Sequence, residues 1–317
     1  MNKCLYCYES LESGDFHEKC SRDFFGEKHA PELNYSLAQM HVLAEEIVSR
    51  SVAVPGVQPK LSLSFIRKNL ENPESRLTVM GALGGNYILK PPTEHYPEMP
   101  ENEHLTMRIA EAFGIRTVSS SLIRLASGEL AYITKRIDRT EEGAKIHMLD
   151  MFQITDGVDK YKSSMEKVGK ALNEYSQNTL LDKLKLFELV TFCFLTGNND
   201  MHLKNFSMIR QKGFWELSPA YDLLNVYLVN PKDKEDLALT LGGKKLKLTR
   251  AYFESFGQYL GLNKKQVDGV FKRWNKNRAE AEKWIRNSFL SDGLKKNYLK
   301  LINERYERLN KEKPGSN

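Results

Sequence analysis

The 317-residue chain has no apolar run that could cross a bilayer. Its longest apolar stretch, around residues 187–195, spans about ten positions and contains Glu188, whereas a crossing helix needs about 20. No apolar segment follows Met1-Asn2-Lys3-Cys4, so no signal peptide is read there. These absences predict a cytoplasmic protein with no membrane partner. Cysteine is scarce, four residues in all, and in a reducing cytosol such thiols bind metals or catalyse rather than cross-link. No internal repeat is visible. Charge of one sign is not in marked excess either, because 47 Lys and Arg against 41 Asp and Glu leave +6. The basic pairs Lys244-Lys245, Lys264-Lys265 and Lys295-Lys296 lack interleaved aromatics and a groove-binding helix. They read as solvated helical surface rather than a direct nucleic-acid footprint. Disorder is excluded by 41% apolar and 10% aromatic residues. The length suits two domains or one large bilobed one.

Pattern along the chain separates two regions. Residues 36–50 place Leu37, Met40, Leu43, Ala44, Ile47 and Val48 on one helical face, with Ser36 as N-cap. Residues 60–65 alternate polar and apolar, the signature of a half-buried strand. Residues 87–90 form a second strand, stopped by Pro91-Pro92, and residues 130–135 a third. Between them a helix is predicted over 103–113, closed by Gly114. From about residue 145 the pattern is mostly helical. A strongly apolar helix over 180–195 ends at Gly197, a hairpin occupies 206–217, and long helices fill 250–312. The expected class is α+β, a small β-rich lobe and a larger, mainly helical one. The segments are 1–30 (Cys/His), 31–140 (first lobe), 141–312 (second lobe) and a polar tail at 313–317.

Chemistry concentrates after the apolar helix. The polar loop there offers Asp200 and, five positions on, Asn205; the hairpin follows, and then Tyr221-Asp222. A hairpin returns the chain to near its start, so Asp222 is expected beside Asn205 although 17 positions away. A carboxylate and an amide oxygen suit Mg²⁺, which keeps waters and takes few protein ligands beside phosphates. The remaining aspartate can accept a hydroxyl proton. Protein kinases dispose the same functions as Asp-x-x-x-x-Asn followed by a metal-binding Asp. Upstream, Pro55-Gly56-Val57-Gln58-Pro59-Lys60 is a tight turn leading into a strand, where a glycine lets backbone N–H groups approach phosphates. Lys90 ends a strand, as does the lysine that steadies nucleotide phosphates in kinases. Glu103 either caps its helix electrostatically or pairs with a cation.

At the N-terminus, Cys4-x2-Cys7 and His17-x2-Cys20 supply four soft or borderline ligands in 17 positions. Two short-spaced pairs are the usual way to hold tetrahedral Zn²⁺, and four filled positions imply a structural site. Cys193, in the apolar helix, reads as a core residue.

Six motifs in order carry a resemblance over residues 36–312. They are Gly56-Val57-Gln58-Pro59-Lys60-Leu61, Ile88-Leu89-Lys90-Pro91-Pro92, Glu101-Asn102-Glu103, Lys135-Arg136-Ile137-Asp138-Arg139, residues 197–207, and Ser218-Pro219-Ala220-Tyr221-Asp222. Together they resemble the HipA-type serine/threonine kinases, bacterial toxins of toxin–antitoxin systems. The resemblance implies a bilobed kinase-like fold using ATP and Mg²⁺. It makes Asp200 the catalytic aspartate, Asn205 and Asp222 the Mg²⁺ ligands, and Lys90 the ATP lysine. Pro55, Gly56, Val57, Gln58 and Lys60 become the loop over the phosphates. Lys135, Arg136 and Ile137 become the segment whose backbone meets adenine, with His202 and Lys204 near the γ-phosphate. It further implies an aminoacyl-tRNA synthetase as substrate and a helix-turn-helix antitoxin as partner, with DNA reached only through that antitoxin. Only about 50 residues precede the phosphate loop. The chain thus resembles the short, HipT-like form, whose missing subdomain is a separate small protein. The serines that relatives autophosphorylate are here Pro55 and Ala53; Ser51 is the nearest hydroxyl. An ATP-binding pseudokinase, a regulatory subunit of an antitoxin complex, and a small-molecule kinase are the alternatives.

Overall fold

Period-two alternation builds the main sheet of the protein. The computed structural model describes residues 2–50, 60–66, 75–79 and 85–311. The chain divides into two units, and the first comprises Met1–His104, Val118–Lys145 and Asn287–Phe289. It begins with β1 (Asn2–Lys3) paired antiparallel to β2 (Ser10–Leu11), followed by α1 (Glu18–Phe25) and α2 (Leu37–Arg50). Ser36 caps α2 as expected: its Oγ accepts from Gln39 N at 3.3 Å while Gln39 Oε1 accepts from Ser36 N at 2.8 Å, a reciprocal capping box.

The sheet comprises β3 (Leu61–Ile66), β4 (Arg76–Val79), β5 (Tyr87–Lys90), β6 (Ser120–Arg124) and β7 (Leu130–Lys135), in antiparallel order β4-β3-β5-β7-β6. Leu61 stands opposite Leu89, and Leu89 opposite Ile133. Leu61, Leu63, Tyr87, Leu89, Ala131 and Ile133 share one buried cluster with Phe24 and Phe25 of α1 and Met40 and Ala44 of α2. Because alternate strand residues face opposite ways, Ser62, Ile88, Lys90, Tyr132 and Thr134 point to the other face.

Between β5 and β6 lies α3 (Met99–Ala112), which starts four residues before the predicted Glu103. Pro100 occupies its first turn, where a missing N–H removes no helical bond. The helix ends as predicted, with Gly114 left-handed at φ 80°. The division between the units falls within α3, after His104.

The second unit comprises Leu105–Thr117, Ile146–Arg286 and Leu290–Asn317. It holds β8 (Met148–Asp150), α4 (Met151–Ile154), α5 (Met165–Tyr175), α6 (Thr179–Thr196), β9 (Ser207–Gln211), β10 (Phe214–Leu217), α7 (Val226–Val229), α8 (Arg250–Tyr259), α9 (Lys264–Asn287) and α10 (Asp292–Asn310). The predicted apolar helix is α6, and its all-round hydrophobicity is that of a central core helix. Phe187, Phe192, Phe194 and Cys193 are fully buried on it. Phe187 packs edge-on to Phe271 at 6.0 Å, and Trp274 Nε1 donates to Thr191 Oγ1 at 3.0 Å. The predicted hairpin is β9–β10, turned by Lys212 (φ 51°) and Gly213 (φ 85°), the two left-handed residues of a tight hairpin turn. A third strand, β8, pairs with β9; the mostly helical reading of this region missed it. Among the described residues, no helix is long and apolar enough to cross a membrane.

Candidate active site

In the first unit the candidate residues lie at the ends of β5 and β7. Lys90 ends β5 and is only 4% exposed. Its Nζ lies 2.5 Å from Glu103 Oε1 and 5.3 Å from the centroid of the Tyr132 ring. Glu103 sits in the second turn of α3, 1% exposed, too far from the helix start to act as a terminal cap. Of its two possible roles, the structure therefore shows pairing with a cation. Lys135 closes β7 with its ammonium 5.6 Å from the Phe24 ring. Burial lowers its basicity, and the Glu141 carboxylate partly offsets this. Arg136 grips Asp138 through Nε and Nη2 (2.9 and 2.7 Å) and reaches Ser62 Oγ with Nη1 at 3.3 Å. The backbone N–H groups of Lys135 and Arg136 donate to Ser119 O and Asn86 O, at 2.9 and 2.8 Å. Ile137 is half-buried, and Lys60 is exposed just before β3. Pro55, Gly56, Val57 and Gln58 lie outside the described residues, as do Ser51 and Ala53.

In the second unit the site is assembled from the end of α6. Gly197 takes the left-handed cap (φ 70°), and Asn198 N then donates to Cys193 O at 2.8 Å. This stops the helix and releases the chain into the loop. The loop is braced from within. Asn205 Nδ2 donates to the Asp200 carbonyl at 2.9 Å, Asp200 N to Asn198 Oδ1 at 3.3 Å, and His202 N to Asp200 O at 2.8 Å. Leu203–Asn205 closes as a single 3-10 turn. Beyond the hairpin, the Tyr221 hydroxyl donates to Lys204 O at 3.0 Å and lies 2.5 Å from Ser207 Oγ. The hairpin therefore does bring its exit back to the loop, one residue before Asp222. Asp222 itself adopts φ 55°, a left-handed backbone that costs a non-glycine residue about 1 kcal/mol or more.

His202 is 6% exposed. Burial lowers its basicity against the pull of Asp200 and Asp222, and its Nδ1 is buried without a hydrogen-bond partner. Lys204 is exposed, with its Nζ 4.9 Å from the Phe152 ring.

One residue here escaped the sequence reading. The Tyr161 hydroxyl donates to Asp200 Oδ1 at 2.7 Å, and its ring meets His202 edge-on at 5.0 Å. Burial and the Asp200 carboxylate both raise the phenol's pKa, so it remains a donor at neutral pH. No spacing rule links positions 161 and 200.

The N-terminal set also gathers. Cys4, Cys7, His17 and Cys20 each direct one ligand atom into a group whose members all lie within 4.8 Å of one another. All four cysteines of the chain are unbridged, and Cys193 is a buried core thiol as expected.

The HipA-like C-terminal domain family matches residues 52–284. A candidate kinase of Haemophilus influenzae is 28% identical over 266 residues, 75% of this chain and 75% of that protein. The serine/threonine-protein kinase toxin HipA of Shewanella oneidensis is 26% identical over 196 residues, 55% of this chain but only 43% of the toxin. The fold matches that of the solved complex of the Shewanella HipA, HipB and operator DNA at TM-score 0.68 and 22% identity, covering 84% of this chain and 70% of that one. The expected α+β kinase-like class is thereby borne out. With most of its length inside the matched region, the chain belongs to the HipA-like C-terminal domain family.

Proposed function

We propose that the chain is an ATP- and Mg²⁺-dependent serine/threonine protein kinase, the toxin of a toxin–antitoxin system. The observation that carries this reading is the bracing of the Asp200 loop: Asn205 holds the Asp200 backbone and Tyr161 holds one oxygen of its carboxylate. A general base must be held within hydrogen-bond reach of its proton, and one anchored oxygen leaves the other to accept a substrate hydroxyl.

The donor set fits Mg²⁺. Asn205 spends its amide N–H on Asp200 O, which leaves its carbonyl oxygen as a hard ligand, and Asp222 adds a carboxylate. When bound, the ion neutralises charge on the nucleotide phosphates. Lys90, paired with Glu103, has the chemistry of a phosphate-holding lysine, and the family resemblance gives Pro55, Gly56, Val57, Gln58 and Lys60 the role of the phosphate loop. His202 and Lys204 would stand near the terminal phosphate. If adenine meets Lys135, Arg136 and Ile137, the engaged N–H groups of the first two leave recognition to their carbonyls and to Ile137.

The substrate class we propose is a translation component such as an aminoacyl-tRNA synthetase, and the setting is the cytoplasm. A helix-turn-helix antitoxin is the proposed partner, because the solved Shewanella relative stands in complex with HipB and operator DNA. The test compares cells expressing the parent with cells expressing Asp200→Asn. The variant should bind ATP in calorimetry and lose every protein phosphosite that the parent adds. Phosphosites retained in the variant would refute the role of Asp200. ATP binding and turnover without any protein phosphosite in the parent would point to a small-molecule kinase, and binding without turnover to a pseudokinase.

A further inference from the structure

The four N-terminal ligands form a cluster that phosphoryl transfer does not use, and its geometry is specific. Cys7 Sγ and Cys20 Sγ lie 3.4 and 3.8 Å from His17 Nδ1. A tetrahedral ion with Zn–S of about 2.3 Å and Zn–N of about 2.0–2.1 Å sets its ligand atoms about 3.6–3.8 Å apart. These two spacings lie close to that range, and all four ligand atoms fall within 4.8 Å of one another, near enough for one ion. A two-iron cluster would divide its ligands between two metal atoms and spread them further.

The surroundings prepare the donors. The Nε2 of His17 lies 3.0 Å from the Ser10 carbonyl, which can only accept, so the proton sits on Nε2 and the lone pair on Nδ1 faces the sulfurs. Metal-bound histidines are oriented in this way. Tyr8, directly after Cys7, takes a left-handed backbone (φ 64°) and donates its N–H to Cys4 O at 2.9 Å. That tight turn folds Cys4 and Cys7 together at the expense of backbone strain. His17 is the N-cap of α1 and Cys20 lies in its first turn. Three thiolates, one neutral imidazole and Zn²⁺ carry a net charge of −1, which a helix N-terminus stabilises.

We infer that Cys4, Cys7, His17 and Cys20 bind one structural Zn²⁺ that fastens residues 2–25 to the sheet. A thiolate-rich set selects this ion over the hard Mg²⁺ of the kinase reading. The fastening has visible anchors. Leu122 N donates to Leu5 O at 3.4 Å, and Asp15 pairs with Arg124 at 2.9 Å. Phe24 and Phe25 enter the cluster beneath Tyr87 and Leu89, on the strand that ends in Lys90. Two-residue strands and an eight-residue helix are too short to order themselves alone, and metal binding supplies that ordering.

The full chain, purified without chelator, should carry one zinc per chain by inductively coupled plasma mass spectrometry. Exchange with Co²⁺ should give thiolate-to-cobalt charge transfer and the intense visible bands of a tetrahedral site. Cys20→Ser should lower metal content and alter those bands, while Cys193→Ala keeps both. Stripping the metal from the parent should lower its melting temperature and speed amide exchange in α1 and β5. Should Cys20→Ser fail to fold, the Co²⁺ spectrum of the parent still decides the site. A parent with neither zinc nor a tetrahedral Co²⁺ spectrum overturns it. Metal removal that leaves melting and exchange unchanged overturns the fastening role. Neither result bears on Asp200.

Discussion

Replacing Lys90 with methionine separates what this residue does for the fold from its proposed role toward the nucleotide. Lys90 and Glu103 have side chains 5% and 1% exposed and lie 2.5 Å apart. At that distance and an effective dielectric of about 20, their attraction is about 6–7 kcal/mol. Burying two ions costs several kcal/mol each, so the pair is close to neutral as a whole. Removing one partner is different. Lys90→Met removes the cation paired with the buried Glu103 carboxylate, at an expected cost of about 3–5 kcal/mol. Lys90→Met/Glu103→Gln removes both charges with little change of shape and should recover most of that loss. Phosphoryl transfer should be lost in both variants. The tryptophans, Trp215, Trp274 and Trp284, all belong to the second unit, so their fluorescence does not report directly on the pair. Amide exchange across β3, β5 and β7, with denaturant titration followed by far-ultraviolet circular dichroism, reports on the right unit. A single variant within about 1 kcal/mol of the parent would refute the buried-pair argument. A double variant that still transfers phosphate would refute the nucleotide role.

Two further outcomes are expected. Tyr161→Phe deletes one hydrogen bond to the Asp200 carboxylate, a loss of about 1.5 kcal/mol or roughly tenfold in kcat, with KM for ATP unchanged; steady-state kinetics showing parental kcat would contradict the positioning role. The carboxyl of Glu101 is pushed up from the ordinary 4.5 to about 7, by burial and then by Glu98. The folded state therefore holds the proton more tightly than the unfolded one, and stability present at low pH declines as pH rises toward 7. Glu101→Gln should match the parent near pH 4 and exceed it near pH 8 in denaturant titrations.

The parts legible in the sequence are those with local causes. Strand β5 was announced by its apolar residues and by Pro91-Pro92, and α6 by its length and Gly197. The cysteine–histidine set was legible because ligand spacing is written within 17 positions. The start of α3 lies four residues before the predicted Glu103, because Pro100 is tolerated in a first turn. Strand β8 has three residues, too few to express a period. Tyr161 was invisible for another reason: its bond to Asp200 spans 39 positions and depends on how two loops of the second unit pack. The phosphate loop predicted at Pro55, Gly56, Val57 and Gln58 lies outside the described residues.

The left-handed backbone at Asp222 also has an evolutionary reading. Glycine would sit there without strain and asparagine with little, so the aspartate stands against the preference of the main chain. If Asp222 holds the metal as proposed, a descendant released from catalysis would gain stability by surrendering it. Among related chains, the residue at this position should therefore separate working copies from lapsed ones before any assay is run.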